Sequence, residues 1–195
     1  RCSALSGHTP SDFPLVELTQ RDVDTLQRAG DVEDVLPLLP LQQGMFFHSV
    51  YGEGVDTYRV QQIARLSGAI DTERLRQALD AVMRRHQALR ASFAELDDGR
   101  VAQVIRPEVP MEFDVVDASG LDPQDAAETL DDVARERLSR PFDLAEPPLV
   151  RYTLVSVGPR DHRLIQTMHH IVADGWSYPL IFTDVVALYH GAHAQ

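Results

Sequence analysis

A group of side chains that can carry protons stands near the end of the chain, where residues 168–177 read Met-His-His-Ile-Val-Ala-Asp-Gly-Trp-Ser. The adjacent imidazoles of His169 and His170 are followed by the carboxylate of Asp174 and by a glycine, Gly175. Histidine is the side chain whose ordinary pKa lies closest to neutrality, so it can take up a proton and return it at cellular pH. The spacing therefore predicts a site of proton transfer.

The element that must position these histidines is a strand, because residues 162–168 have strand-type composition. Side chains in a strand point alternately to opposite faces. If the strand reaches His170, that ring shares a face with Met168, whereas His169 lies on the other face. Only one of the two histidines can then easily meet a substrate.

A turn and a helix are predicted to follow. Asp174 and Gly175 favour the turn, and Ser177 is a suitable helix cap with Pro179 tolerated in the first turn. Gly191 is a natural end for this helix. The apolar residues that would line one helix face are Ile181, Val185, Leu188 and Tyr189.

Two other interpretations of the cluster stay open from the residues alone, and a third is set aside. The histidines are compatible with ordinary core or surface positions. His170 and Asp174 would share one face of a helix and could bind a metal, but the glycine opposes that helix and no third ligand has a recognisable spacing. A serine nucleophile at Ser177 would need a second glycine where Pro179 stands.

The composition indicates one folded domain. The chain has 195 residues, of which 44% are hydrophobic, and its periodic segments predict a mixed α/β fold. No apolar run is long enough to cross a bilayer, and residues 1–7 lack the apolar core of a signal peptide. Cys2 is the only cysteine, so an internal disulfide is impossible, and we expect a reducing, cytoplasmic location.

The charged residues exclude several classes of function. A formal net charge of -12 argues against nucleic acid and anionic membranes as partners. All 18 basic residues are arginine, and the lack of lysine excludes Schiff-base chemistry, lysine-anchored pyridoxal phosphate and the lysine-dependent phosphate loop. No Gly-rich dinucleotide fingerprint is present. We therefore expect no directly bound cofactor, and we expect no metal because no third ligand has a recognisable spacing.

The chain is predicted to divide near residue 31. Residues 1–31 have the texture of a linker or the tail of an upstream domain, with one short helix capped by Thr19, and residues 32–195 form the domain itself. Asp97-Asp98-Gly99 predicts one hairpin and residues 158–161 predict another. The remaining expected strands lie at 60–66, 91–96, 101–106, 111–116, 149–157 and 162–168, and further helices begin near Gln42, Asp71 and Asp122. The Asp122 helix is expected to pack through Ala127, Leu130, Ala134 and Leu138.

Three stretches, in order, resemble the condensation domains of nonribosomal peptide synthetases. Residues 169–175 match the HHxxxDG signature, which epimerization domains and the wider chloramphenicol acetyltransferase-like superfamily share. Residues 85–93 resemble the RHExLRTxF stretch, with Gln87 in place of Glu and Ala91 in place of Thr. Residues 36–45 resemble the opening motif, although Gly44 stands where many members carry arginine.

The resemblance implies the N-terminal lobe of a chloramphenicol acetyltransferase-like domain, an α/β (α+β) half-domain with a mixed, mostly antiparallel sheet flanked by helices. Residues 1–31 would then be the tail of a preceding epimerization or condensation domain. The implied reaction joins a donor thioester and an acceptor amine, both carried on the phosphopantetheine of carrier proteins. The C-terminal lobe is a further implied partner. Without it the chain is expected to be inactive, and the uncovered apolar face could drive homo-oligomerisation.

The resemblance also implies roles for single residues. His170 would act as the general base, or would position the amine and stabilise the intermediate, and His169 would be structural. Asp174 would hold the loop through an ion pair with Arg85 or Arg90. Gly175 would let substrate approach closely, and the Asp-Gly-Trp-Ser sequence around Trp176 looks more like subtypes that accept a D-configured donor. The alternatives are an epimerization domain that uses the same histidine and a non-catalytic recruitment domain.

Overall fold

The computed structural model describes residues 7–52 and 57–191, so the interpretation of Cys2 concerns a residue outside the described ranges. In those ranges no helix combines the length and the apolar character needed to span a membrane. The helices are α1 (Gln20–Arg28), α2 (Pro40–Tyr51), α3 (Thr72–Arg85), α4 (Pro123–Ser139) and α5 (Ser177–Tyr189). The strands are β1 (Asp34–Pro37), β2 (Arg59–Ser67), β3 (Ala91–Glu95), β4 (Val101–Ile105), β5 (Glu112–Asp117), β6 (Val150–Gly158) and β7 (Asp161–His169).

The strands form two sheets. The smaller sheet has the order β1-β4-β3 and is antiparallel throughout. Its β3–β4 hairpin confirms the turn predicted at Asp97-Asp98-Gly99, because Gly99 has φ +82°, a conformation that glycine adopts without steric penalty.

The larger sheet has the order β2-β7-β6-β5 and carries the histidine cluster at the end of β7. The β6–β7 hairpin is antiparallel, as the sequence predicted, and β2 pairs along all of β7. The β5–β6 pair is parallel, so the chain needs a crossover between these strands, and α4 supplies it. The mixed α/β fold with mostly antiparallel sheets flanked by helices is therefore confirmed.

The two faces of the larger sheet are covered by different helices. The principal core joins α3 and α5 to one face, and its fully buried members include Leu79, Val82 and Leu154. On the other face α4 packs through Ala134 against Val155 and Ile165.

The buried face of α4 is narrower than the predicted stripe. Ala134 is buried and Leu130 is partly buried, but Ala127 and Leu138 are exposed and Ala126 is buried instead. The sheet therefore contacts α4 along only part of the stripe that helical periodicity defines.

A second core links the N-terminal region to the smaller sheet. Thr19 caps α1 as predicted, and its side chain accepts the N–H of Asp22 at 3.1 Å. Val23 and Leu26 of α1 are buried together with Phe13 and Val104. Whether residues 1–31 belong to an upstream domain stays a prediction, but the described part of this segment is packed on the sheet.

Candidate active site

His169 ends β7 in the interior of the protein. The side chain is 0% exposed, and its Nε2 lies 3.1 Å from the hydroxyl of Ser49 on α2. The backbone N–H of Ile171 donates to Nδ1 at 3.2 Å. Because Nδ1 accepts a hydrogen bond, the neutral ring carries its proton on Nε2 and donates it to Ser49. A ring that is sealed and hydrogen-bonded at both nitrogens has no face left for a substrate.

His170 stands in different surroundings, because β7 ends one residue before it. Its backbone N–H donates to the carbonyl of Tyr58 at 2.8 Å, and its side chain is half-buried. Nδ1 donates to the carbonyl of Ala173 at 2.8 Å, since a carbonyl oxygen can only accept. The lone pair of the neutral ring therefore lies on Nε2. That nitrogen has no hydrogen-bond partner within residues 7–52 and 57–191, and it is free to accept a proton.

Asp174 holds the turn that follows the histidines. Its carboxylate accepts the hydroxyl of Ser177 at 2.7 Å and the backbone N–H groups of Ser177 and Trp176 at 2.8 and 3.1 Å. These hydrogen bonds hold the pKa of Asp174 below its ordinary value, and the bond from the Ser177 hydroxyl has the largest effect. The helix begins at Ser177 itself, so the prediction that Ser177 caps it is wrong. The Asp174 side chain satisfies the free N–H groups there instead.

The predicted ion pair between Asp174 and an arginine is also wrong. Arg85 lies 3.5 Å from the carboxylate of Asp184 on α5, and Arg90 pairs with Glu33. Asp174 is exposed, and its carboxylate accepts hydrogen bonds from backbone N–H groups of its own turn. The arginines of residues 85–93 therefore serve other contacts.

Arg90 is one of the most buried charged groups of the protein, with 4% exposure. Its guanidinium donates to the carbonyls of Met83, Arg106 and Pro107 as well as to Glu33. These bonds join the end of α3 to the residues that follow β4. None of the four contacts involves His170 or Asp174.

Two of the expected site residues lie on the open surface. Gly175 has no neighbouring atom within 4 Å of the position that a Cβ would occupy, so no close contact in the described structure requires glycine there. Trp176 is 87% exposed. Both residues are connected to the site through their turn, in which the backbone of Trp176 is held by Asp174, and both face space outside the chain.

The larger cavities lie away from His170. One cavity of about 500 Å³ lies between α2 and the β3–β4 hairpin, and another of similar size lies beside Arg106. A small cavity of about 120 Å³ is lined by Val172 and Ala173, which follow β7, and by Ser177 at the start of α5, together with His86. His170 lines none of these three, and its ring is half-buried.

Sequence reasoning missed several polar residues that hold this region. Gln42 donates from Nε2 to the carbonyl of Ile171 at 3.0 Å, and Ser49 contacts His169. His86 lies 2.7 Å from Asp184 and ties the end of α3 to α5. The sequence signal for Gln42 and Ser49 is their separation of seven residues on a predicted helix, which places both on one face.

Comparison with known proteins identifies relatives over most of the chain. The family model described as "Condensation domain" matches residues 32–195. One of the linear gramicidin synthase polypeptides of Brevibacillus parabrevis is 36% identical over 190 residues, which cover 97% of this chain and 2% of that protein. Vanchrobactin synthetase VabF of Vibrio anguillarum is 35% identical over 187 residues, which cover 92% of this chain and 6% of that protein.

Solved structures of condensation domains have a similar fold. The starter condensation domain of rhizomide synthetase RzmA is 28% identical, with a TM-score of 0.68, over 80% of this chain and 37% of that one. The first condensation domain of the calcium-dependent antibiotic synthetase is 22% identical, with a TM-score of 0.74 over 81% of this chain and 38% of that one, and supports the fold alone. The chain thus spans 2% and 6% of the two synthetases and 37% of the RzmA structure.

Proposed function

The chain belongs to the condensation domain family, and from this premise we propose that the protein makes amide bonds in nonribosomal peptide synthesis. A donor acyl group enters as a thioester and an acceptor enters as a free amine. Each is carried on the phosphopantetheine arm of a carrier protein. The nitrogen of the acceptor forms a bond to the donor carbonyl carbon, and the carbon–sulfur bond breaks.

The state of the His170 ring carries this proposal. Its Nδ1 proton is held by the carbonyl of Ala173 at 2.8 Å, so the lone pair on Nε2 is available to the attacking amine. As the tetrahedral intermediate forms, the amine nitrogen gains positive charge and loses a proton to Nε2. The imidazolium then returns this proton to the departing thiolate, so charge and protons balance. The Ala173 carbonyl stabilises the imidazolium while it exists.

The remaining site residues are assigned supporting roles. His169 is structural, because it is buried and hydrogen-bonded at both ring nitrogens. Asp174 orders the start of α5. Gly175 and Trp176 lie on open surface, where the part of a condensation domain that this chain does not span would complete the substrate passage. The chain by itself is accordingly expected to be inactive.

The test compares His170→Ala with His190→Ala in the synthetase that contains the chain. His190 is an exposed histidine beyond the end of α5, which makes it a matched control. Loss of general base catalysis lowers rates about 10² to 10⁴-fold. We expect that loss in the rate of dipeptide formation from loaded carrier proteins for His170→Ala and an unchanged rate for the control.

Product analysis separates the proposal from its main rival. An epimerization domain would use the same imidazole to move an α-proton, and its product would be an inverted carrier-bound residue without a new amide bond. Full dipeptide synthesis by His170→Ala, or inversion without dipeptide, would contradict the proposed function.

A further inference from the structure

Helix α2 contacts the segment from His169 to Ile171 at two points. Gln42 and Ser49 are separated by seven residues, which is about two helical turns, so they lie on the same face. Between them Met45 and Phe46 are 7% and 8% exposed and join the principal core. One face of α2 therefore presents a polar residue at each end and apolar residues in the middle.

The first contact uses the side-chain amide of Gln42. Its Nε2 donates to the carbonyl of Ile171 at 3.0 Å and to Oε1 of Gln103 on β4 at 3.1 Å. Its Oε1 accepts the backbone N–H of Leu39 at 3.0 Å. A single side chain thus connects the start of α2, the smaller sheet and the residue that follows His170.

The second contact runs through His169. The hydroxyl of Ser49 lies 3.1 Å from Nε2 of this ring, and Nδ1 accepts the N–H of Ile171 at 3.2 Å. Both backbone polar groups of Ile171 are consequently held from α2. Its N–H is held by Ser49 through His169, and its carbonyl is held directly by Gln42.

We propose that Gln42 and Ser49 are positioning residues, and that they fix the orientation of His170 by immobilising the backbone of the next residue, Ile171, on both sides of its Cα. The proposal rests on the proposed function, in which Nε2 of His170 receives the proton. Three sets of hydrogen bonds determine the direction of that ring. The backbone N–H of His170 donates to Tyr58, and its Nδ1 donates to Ala173. The third set is the contacts that α2 makes with the next residue, Ile171. Removal of the last leaves only the contacts of Tyr58 and Ala173 from these three sets. A displacement of about 1 Å at a reacting group can reduce a rate about 10²-fold.

The experiment uses Gln42→Leu and Ser49→Ala in the synthetase that contains the chain, with Gln43→Leu as the matched control. Gln43 is an exposed neighbour on the same helix, and its amide donates to the carbonyl of Leu38 at 3.3 Å, close to it in the chain. We expect kcat for dipeptide formation to fall about tenfold in Gln42→Leu and in Ser49→Ala. KM for the loaded carrier proteins should not change, and the control should retain both constants.

A readout that a purely structural role would not move is the NMR signature of the His170 ring. The nitrogen chemical shifts of Nδ1 and Nε2 report which nitrogen carries the proton. We expect the preference for a protonated Nδ1 to weaken in Gln42→Leu and to persist in Gln43→Leu. Gln42→Asn, which keeps the amide on a shorter stem, provides a second test if Gln42→Leu does not fold.

The outcomes distinguish this inference from the proposed function. If His170→Ala is inactive while the Gln42 and Ser49 variants keep the normal kcat and the normal ring signature, the positioning role is overturned and the function stands. If kcat falls only in proportion to the folded fraction, the role is structural and the inference is likewise overturned. If His170→Ala is fully active, the function itself fails, whatever the other variants do.

Discussion

The Arg90→Met substitution is expected to destabilise the protein strongly. Arg90 is 4% exposed, and methionine keeps an unbranched side chain while removing the guanidinium. The carbonyls of Met83, Arg106 and Pro107 would lose their donor, and Glu33 would lose its ion-pair partner. The hydrogen bonds of Arg90 now hold the pKa of Glu33 below its ordinary value.

The size of the effect follows from the groups left without partners. A buried polar group deprived of its hydrogen bond costs about 1–3 kcal/mol. The loss of the guanidinium removes such a bond from at least two interior carbonyls, those of Met83 and Arg106. The ion pair with Glu33 adds less than about 1 kcal/mol, because the Glu33 side chain is 33% exposed and its carboxylate stays hydrated when Arg90 is removed. We therefore expect the free energy of unfolding to fall by about 2–6 kcal/mol, chiefly from the two carbonyls.

Urea unfolding followed by far-UV circular dichroism would measure this change. The fluorescence of Trp176 is unsuitable, because that side chain is already 87% exposed in the folded protein. Arg135→Met is the control, since Arg135 pairs with Asp132 where both side chains are 74% exposed. Such surface pairs contribute less than about 1 kcal/mol. A similarly small change for Arg90→Met would refute the argument that its carbonyl contacts stabilise the fold.

Two further predictions concern Asp174 and Tyr152. Because the pKa of Asp174 is lowered in the folded protein, chiefly by the Ser177 hydroxyl, its carboxylate stabilises the fold above the ordinary Asp pKa, and this contribution is lost as the pH falls through the folded value. The melting temperatures of wild type and Asp174→Ala should therefore differ at neutral pH and converge in acid; a constant difference would contradict the assignment. The hydroxyl of Tyr152 is buried without a hydrogen-bond partner in residues 7–52 and 57–191, and burial raises its pKa, so it stays neutral. Tyr152→Phe should raise the free energy of unfolding by about 1–3 kcal/mol in urea titrations, whereas Tyr51→Phe, which removes an exposed bond to Glu95, should not; a loss of stability in Tyr152→Phe would reveal a hidden partner.

Local elements were predictable because their signals lie within a few residues of one another. Asp97-Asp98-Gly99 predicted the β3–β4 hairpin, Thr19 predicted the start of α1, and Gly191, with φ +90°, follows the end of α5 as expected. Each of these rests on backbone geometry or on a hydrogen bond inside one turn. The HHxxxDG pattern likewise predicted the family, which the comparison confirmed.

Some local predictions failed because two residues competed for the same groups. Ser177 and Asp174 can both supply oxygen to the start of α5, and the carboxylate accepts both the N–H and the hydroxyl of Ser177. The pairing of Asp174 with an arginine failed for a different reason. Arg85 pairs with Asp184 on α5, and Arg90 pairs with Glu33 beside β1. No local sequence pattern indicates that these residues come together in the fold.

The sequence by itself determined the helices and strands given above, except for the short strand β1, and which histidines stand at the end of β7, since those features depend on neighbouring residues. The tertiary structure decided what each ring can do. Ser49 reaches His169 across 120 positions of the chain, and Gln42 reaches Ile171 across 129. These contacts exist only after α2 has packed on the larger sheet through its apolar centre. Burial then seals one imidazole, and a carbonyl three residues away leaves Nε2 of the other available for a proton.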